Sequence, residues 1–259
     1  MVNLGCGNRI HPDWVNIDLH PNAPGVIRAN FIDGIPLADD SASCIYHSHL
    51  FEHLPIAVAR RFLRECGRVL APGGILRIVV PDFEQSARDY ISVLDRRRAG
   101  EEMVAEHRWI LIEMIDQMTR TEPGGEMVQM MRESSAHDEF IAPRLGSYGE
   151  TLLREVRDST GARPSRSERL ARWLRRAGPG QWGPLLSDAI FRRRGEAHLW
   201  MYDEFFLGDM LKAAGYVSPQ RMSHLTSGVP GWSSYGLDAE SDGRPYKGTS
   251  LYMEARQPA

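Results

Sequence analysis

A short apolar run, Val2-Asn3-Leu4, passes directly into Gly5-Cys6-Gly7-Asn8. Two glycines one residue apart at the end of a strand constrain this chain more than any other feature. Without Cβ atoms the backbone there can take positive φ and lie against a ligand, which is how a nucleotide-binding turn begins. A second apolar strand, Trp14-Val15-Asn16-Ile17, ends at Asp18, eleven residues after Gly7. A carboxylate at that strand end can accept both hydroxyls of a ribose. The opening of the chain reads as a seat for an adenosine-containing cofactor.

The strands continue in quick succession. Val26–Phe31 is expected as a third strand, ending at Asp33-Gly34, and Ser43–His47 as a fourth. The period then changes. Leu50, Leu54, Val58, Phe62, Leu63, Cys66, Val69 and Leu70 recur at helical spacing, with Arg60, Arg61, Arg64 and Arg68 off that stripe. Pro55 suits the first turn of this helix, and Ala71-Pro72-Gly73-Gly74 stops it. Ile75–Val80 is a fifth, β-branched strand closed by Pro81-Asp82. Strands joined by right-handed crossovers give a parallel sheet whose ligand lies beyond the carboxyl ends. Those ends carry Gly5, Gly7, Asp18, Asp33, His47 to His49 and Asp82, which are expected to converge on one cleft.

Residues 85–197 show no strand pattern. Helices are expected at Phe83–Arg97, Glu101–Arg120, Glu126–Glu133, Tyr148–Asp158 and Arg166–Arg176. Met114, Met118, Met127, Met130 and Met131 read as core rather than as a pocket lining. Eleven arginines against four acids between Arg154 and Arg194 read as a solvated basic face. Residues 198–259 return to α/β: a helix from Asp203 to Tyr216, a strand near Val217–Ser223, a Gly- and Ser-rich loop from Thr226 to Gly248, and a strand at Ser250–Ala255. Strand–loop–strand implies an antiparallel pair. The expected organisation is one domain of residues 1–84 and 198–259, with 85–197 as a helical insertion capping its cleft.

Composition narrows the function classes. Net charge of −3 argues against a protein that coats nucleic acid. No run of eighteen apolar residues predicts a membrane span, and the opening strand does not read as a secretion leader. Cys6, Cys44 and Cys66 are too scattered for a disulfide frame or zinc cage, so a reducing, cytoplasmic setting is expected. Lys212 and Lys247 are the two lysines among 31 basic residues, read as genome bias.

Five motifs in order, Val2–Gly7, Asn16-Ile17-Asp18, Ile35–Asp39, His49–Leu54 and Arg68–Gly74, resemble the class I S-adenosylmethionine-dependent methyltransferases, in particular small ones of polysaccharide and natural-product pathways. The resemblance implies an α/β fold: a seven-stranded, mostly parallel sheet with flanking helices and an antiparallel last strand. It implies that Gly5, Cys6 and Gly7 lie along the methionine, Asp18 holds the ribose, and Asp33 with Gly34 flanks the adenine. Ser48 and His49 would lie near the reacting methyl. The full cofactor set expected is Asn3, Gly5, Cys6, Gly7, Asp18, Leu19, Asp33, Gly34 and Ser48.

Two departures stand out. Asn3 replaces an acid common in the family, and Arg9 replaces a third glycine. The short interval to Asp18 also means that the first crossover helix is reduced to a turn or lost. A dinucleotide needs that helix N-terminus for its diphosphate and roughly twenty residues to the acid. S-adenosylmethionine has no phosphate, so the spacing favours it.

Methyl transfer needs acceptor, methyl and sulfur held in line, and a base where the acceptor is a hydroxyl. His47, His49 and His53 are candidates. His49, Glu52 and His53 stand at i, i+3, i+4 and share a helix face; His49 is the expected base, with His53 second. Some relatives bind a divalent cation through Glu-x-x-Glu-His. Here His49 holds the first position and a distant ligand such as His198 would be required, so a hydrogen-bonded cluster is preferred and no metal is assigned. The expected activity is methyl transfer to O or N of a small molecule or sugar. Nucleic-acid methylation and a catalytically inactive scaffold are the alternatives. Specificity is expected in the helical insertion and the Thr226–Gly248 loop, and a homodimer through the insertion is an open expectation.

Overall fold

A computed structural model describes residues 1–31, 33–133, 138–158, 173, 188, 189, 191, 192 and 195–259. The expected helix at Arg166–Arg176 and most of the arginine-rich stretch lie outside the described residues. The chain forms two compact units, Met1–Glu84 with Trp200–Ala259, and Gln85–Leu199.

The first unit is built on seven strands: β1 (Val2–Leu4), β2 (Val15–Asp18), β3 (Ile27–Arg28), β4 (Ala42–Ser48), β5 (Leu70–Pro81), β6 (Val217–Met222) and β7 (Ser250–Arg256). Their order is β3-β2-β1-β4-β5-β7-β6. Strands β1 to β5 pair in parallel, and β7 runs antiparallel to β5 and β6. This is the mixed sheet expected. Strand order reverses at β1, between β2 and β4, and such a switch point opens a crevice at the carboxyl ends.

Alternation sorts each strand onto two faces. Leu4, Ile17, Ile45, Leu76 and Ile78 point to one face, where α1 (Ile56–Val69) and α6 (Glu204–Ala213) bury Phe62, Leu63, Cys66, Leu207 and Leu211. Pro55 is the N-cap of α1 rather than its first turn. Asp203 caps α6, its carboxylate accepting the Phe206 amide at 2.8 Å. Strand β3 is shorter than expected, pairing with β2 only at Ile27 and Arg28. Strand β5 is longer, because the chain after Val69 goes straight into extended conformation.

The other face carries a polar row. Asn16, Asn3, Tyr46, Arg77 and Glu254 are register partners across five adjacent strands, and all are buried. The segment before β7 covers them with Val229, Trp232 and Leu237, which pack with Trp14, Cys44, Ile75, Val79 and Tyr252. Arg77 centres the row. Its Nε donates to Asp238 at 2.8 Å, Nη1 to Glu254 at 2.7 Å, and the remaining donors to the carbonyls of Ser223 and Thr226. The guanidinium stacks 4.4 Å over Trp232. Tyr46 donates to the second oxygen of Asp238 at 2.6 Å.

On the helix-covered face His47 is completely buried between the rings of Phe51 and Phe62. Neither ring nitrogen has a hydrogen-bond partner among the described residues. Burial lowers its pKa to about 4, so this histidine is a neutral core residue.

The second unit is helical among its described residues. Helix α2 (Phe83–Arg98) enters it, followed by α3 (Val104–Thr119), α4 (Gly125–Glu133) and α5 (Asp138–Asp158), the last broken at Gly146. Helix α5 begins earlier than the sequence pattern suggests. Trp109, Met127, Met130, Met131, Ile141 and Leu153 form its core, so three of the methionines are packing residues. Arg144 ties Asp89 of α2 to Glu113 of α3 at 2.5 and 2.7 Å.

Replacing Arg77 by Met leaves Asp238 and Glu254 buried without their cation. Loss of one partner from such a group costs about 3–5 kcal/mol, which denaturant unfolding will register, while Arg96→Ala at an exposed pair leaves the midpoint unchanged. His47→Leu tests the buried imidazole. The folded pKa is depressed, so the unfolded chain binds the extra proton and stability falls as pH drops from 6.5 towards 4. At pH 5 the variant regains about 2 kcal/mol relative to its difference from wild type at pH 7.5; equal effects at both pH values would contradict the assignment.

Candidate active site

The glycine turn is shaped by short-range bonds. Gly5 and Gly7 take φ of +63° and +51°. The Gly5 amide donates to the Ile17 carbonyl at 2.8 Å, which fixes the turn to β2. The Gly7 amide donates to Asp18 Oδ2 at 2.9 Å, and the His20 amide to Oδ1 at 2.8 Å. The carboxylate is therefore held in place with lone pairs left over. A Cβ at Gly7 would meet nothing within 4 Å, so the main chain is bare on that side. Burial, aided by the Asp18 charge, pushes the Cys6 thiol up to about 11. Leu19 is exposed beside Asp18.

No helix lies between β1 and β2, as the short interval requires. Both departures from the family pattern have work in this turn. Asn3 Nδ2 donates to the Arg9 carbonyl at 2.8 Å and to Asn16 Oδ1 at 3.0 Å, and Asn16 Nδ2 donates to the carbonyls of His11 and Trp14. The Asn3 amide thus braces the turn from within. Arg9 reaches the loop before β7: it donates to the carbonyls of Gly236 at 2.7 Å and Ala239 at 3.1 Å, pairs with Glu240 at 3.2 Å, and stacks over Tyr246.

Asp33 and Gly34 follow β3. Asp33 accepts from Asn30 Nδ2 at 3.0 Å, and Gly34 has φ +111°. Glu65 of α1 accepts the Ile35 amide at 2.9 Å, while Arg68 donates to the carbonyls of Ile35 and Leu37 and to Asp39. The Ile35–Asp39 loop is clamped to α1 by two side chains.

At the end of β4, Ser48 leads into His49, which has φ +50°. That conformation is uncommon for a non-glycine residue and marks stored strain. The His49 amide donates to the Val79 carbonyl. Its ring is bracketed: Nδ1 lies 3.2 Å from Glu52 Oε1, and Nε2 3.0 Å from Ser250 Oγ. Glu52 is fully buried in a 3-10 turn, Phe51–His53. Burial, then the Lys247 charge, lower the His49 pKa to about 4 against the opposing pull of Glu52. The imidazole is therefore neutral at pH 7. Burial also lowers Lys247, to about 8, with Glu52 opposing.

The structure thus brings His49 together with Glu52 and sets His47 apart in the core. His53 continues the same turn, its amide donating to the Leu50 carbonyl. Asp82 does not join the other strand-end groups as a free carboxylate: it is buried and paired with Arg221 at 2.5 Å.

Three residues escaped sequence reasoning. Arg77 sits inside an apolar strand, a pattern that signals a buried charge needing partners. Ser250 carries no signal, because it meets His49 only through the antiparallel return of β7. Lys247 did carry one. In a chain that otherwise favours arginine, a lysine is the basic side chain that can release its proton near neutral pH.

S-adenosylmethionine fits these residues. The bare turn at Gly7 and the anchored Asp18 suit a nucleoside, and the missing helix removes the dipole that a diphosphate would need.

No curated protein matches the chain. Among solved structures it is similar to the Haloferax volcanii protein in complex with the Trm112 methyltransferase activator, at 12% identity over 100% of this chain and 82% of that one, with TM-score 0.40. It is similar to a SAM-dependent methyltransferase from Thermotoga maritima, at 12% identity over 99% and 81%, with TM-score 0.38. A SAM-dependent methyltransferase from Archaeoglobus fulgidus is similar at 10% identity over 98% and 84%, with TM-score 0.40. Residues 4–78 match the family described as "Methyltransferase domain". The family match lies within the seven-stranded unit and covers its glycine turn, Asp18 and the strands up to β5.

Proposed function

We propose that this protein transfers the methyl group of S-adenosylmethionine to an oxygen or nitrogen of a small molecule or sugar, in the manner of the small methyltransferases of polysaccharide and natural-product pathways. The observation that carries the reading is the bare glycine turn bonded through Gly7 to Asp18 at 2.9 Å, with His49 just past the end of β4 held 3.2 Å from Glu52.

When bound, the cofactor supplies an electrophilic methyl on a sulfonium. The chain's residues do the rest. Gly5, Cys6 and Gly7 lie along the methionine portion. Asp18 accepts the ribose hydroxyls through its remaining lone pairs, beside Leu19. Asp33 and Gly34 border the adenine, and Ser48 faces the methyl end. His49 is the base that takes up the proton the acceptor releases, with Glu52 set 3.2 Å from its Nδ1 to orient the ring. Three buried free cysteines fit a reducing, cytoplasmic setting.

Calorimetric titration with S-adenosylmethionine will give binding, and NAD will give none. Asp18→Ala weakens binding by about tenfold or more, the value of one to two hydrogen bonds to a charged group. Gly7→Val weakens it more, because a side chain enters the open space beside the turn. NAD binding, or equal affinity in both variants, would overturn the reading.

A further inference from the structure

The base suggested by the sequence is not the group with a free lone pair. Both nitrogens of His49 are engaged, Nδ1 by Glu52 at 3.2 Å and Nε2 by Ser250 at 3.0 Å. Nδ1 faces the buried carboxylate as an ion-pair contact, which favours the proton on Nδ1 and leaves Nε2 as the acceptor. Ser250 Oγ–H therefore donates to Nε2. Ser250 opens β7 opposite Pro81, the last residue of β5. That register puts it at the carboxyl edge of the parallel strands, where ligands of such sheets lie. It is only half-buried, whereas Glu52 is fully buried.

We propose that Ser250, His49 and Glu52 form a proton relay in which the Ser250 hydroxyl is the group that touches the methyl acceptor. The proposal rests on the methyltransferase reading above. As the acceptor oxygen gains the methyl, the sulfur–carbon bond breaks and its electron pair stays on sulfur. The acceptor's proton passes to Ser250 Oγ, Ser250's own proton passes to His49 Nε2, and Glu52 stabilises the imidazolium before solvent takes the proton. Nucleophile, base and orienting acid are in the order of a serine hydrolase triad, here serving a hydroxyl acceptor. The strained φ of +50° at His49 aims the ring between its two partners.

An activated hydroxyl can be detected without knowing the acceptor. Ser250 Oγ should displace fluoride from an alkyl fluorophosphonate, its proton going to His49 Nε2. Incubation of the full chain with diisopropyl fluorophosphate, followed by intact mass and peptide mapping, should give one adduct, on Ser250. Ser250→Ala abolishes it. His49→Asn, a residue that tolerates positive φ, slows labelling at least 100-fold, and Glu52→Gln slows it at least tenfold. S-adenosylmethionine titration of the same proteins separates this proposal from the reading beneath it. Binding intact in all variants with labelling lost supports the relay. Binding intact with Ser250 no more reactive than serines of the urea-unfolded chain overturns the relay and leaves the methyltransferase reading standing. Absence of binding in wild type overturns the reading itself.

Discussion

Strands β1 and β2 lie side by side and parallel, yet only Gly5–Trp14 joins them. Parallel neighbours normally need a crossover of about a dozen residues or more, usually a helix that also covers the sheet. Dispensing with that helix leaves two debts in the fold: the turn must be held by other means, and one sheet face must be covered by something else. The Asn3–Asn16 amide pair answers the first. The segment before β7, seated on Arg77 and pinned to the turn by Arg9, answers the second.

The missing helix also bears on the ligand. A turn that ends in a helix presents aligned amides and a positive dipole to phosphate. This turn instead directs the Gly7 amide back to Asp18. What remains for a ligand is bare main chain and a carboxylate, suited to an uncharged ribose beside a cationic sulfonium. The same absence that makes the family pattern look degenerate, with arginine in place of a third glycine, turns out to be compensated within the fold.

Much of this was legible in the residues. The strands at Val2–Leu4, Val15–Asp18 and Ser43–His47 follow from their local apolar pattern, and α1 from its apolar stripe. The turn glycines and Asp18 announced themselves by spacing. Other features depended on tertiary neighbours. His47 and His49 share one strand parity, but His47 lies within β4 and is buried in the core, while His49 lies just past the strand end, where φ of +50° turns the chain away. The partner of His49 comes from the far end of the chain, through a register between β5 and β7 that no local pattern encodes. Arg77 looked like an interruption in an apolar strand. It is the centre of a cross-strand row whose other members lie on four neighbouring strands. The Thr226–Gly248 loop, expected to set specificity, has a large structural share: Trp232 and Leu237 belong to the core.

The central claim is that the bare turn between β1 and β2, with Asp18 behind it, holds a sulfonium nucleoside at the carboxyl ends of β1, β2 and β4. Amide chemical shifts recorded while S-adenosylhomocysteine is titrated into the labelled protein test this most directly. The account predicts large, saturable shifts at Gly5, Gly7, Leu19, Gly34 and Ser48, with little change at the opposite strand ends near Ala42 and Ile75. Saturable shifts confined to residues away from the turn, or no shift at Gly7 at saturating ligand, would contradict it.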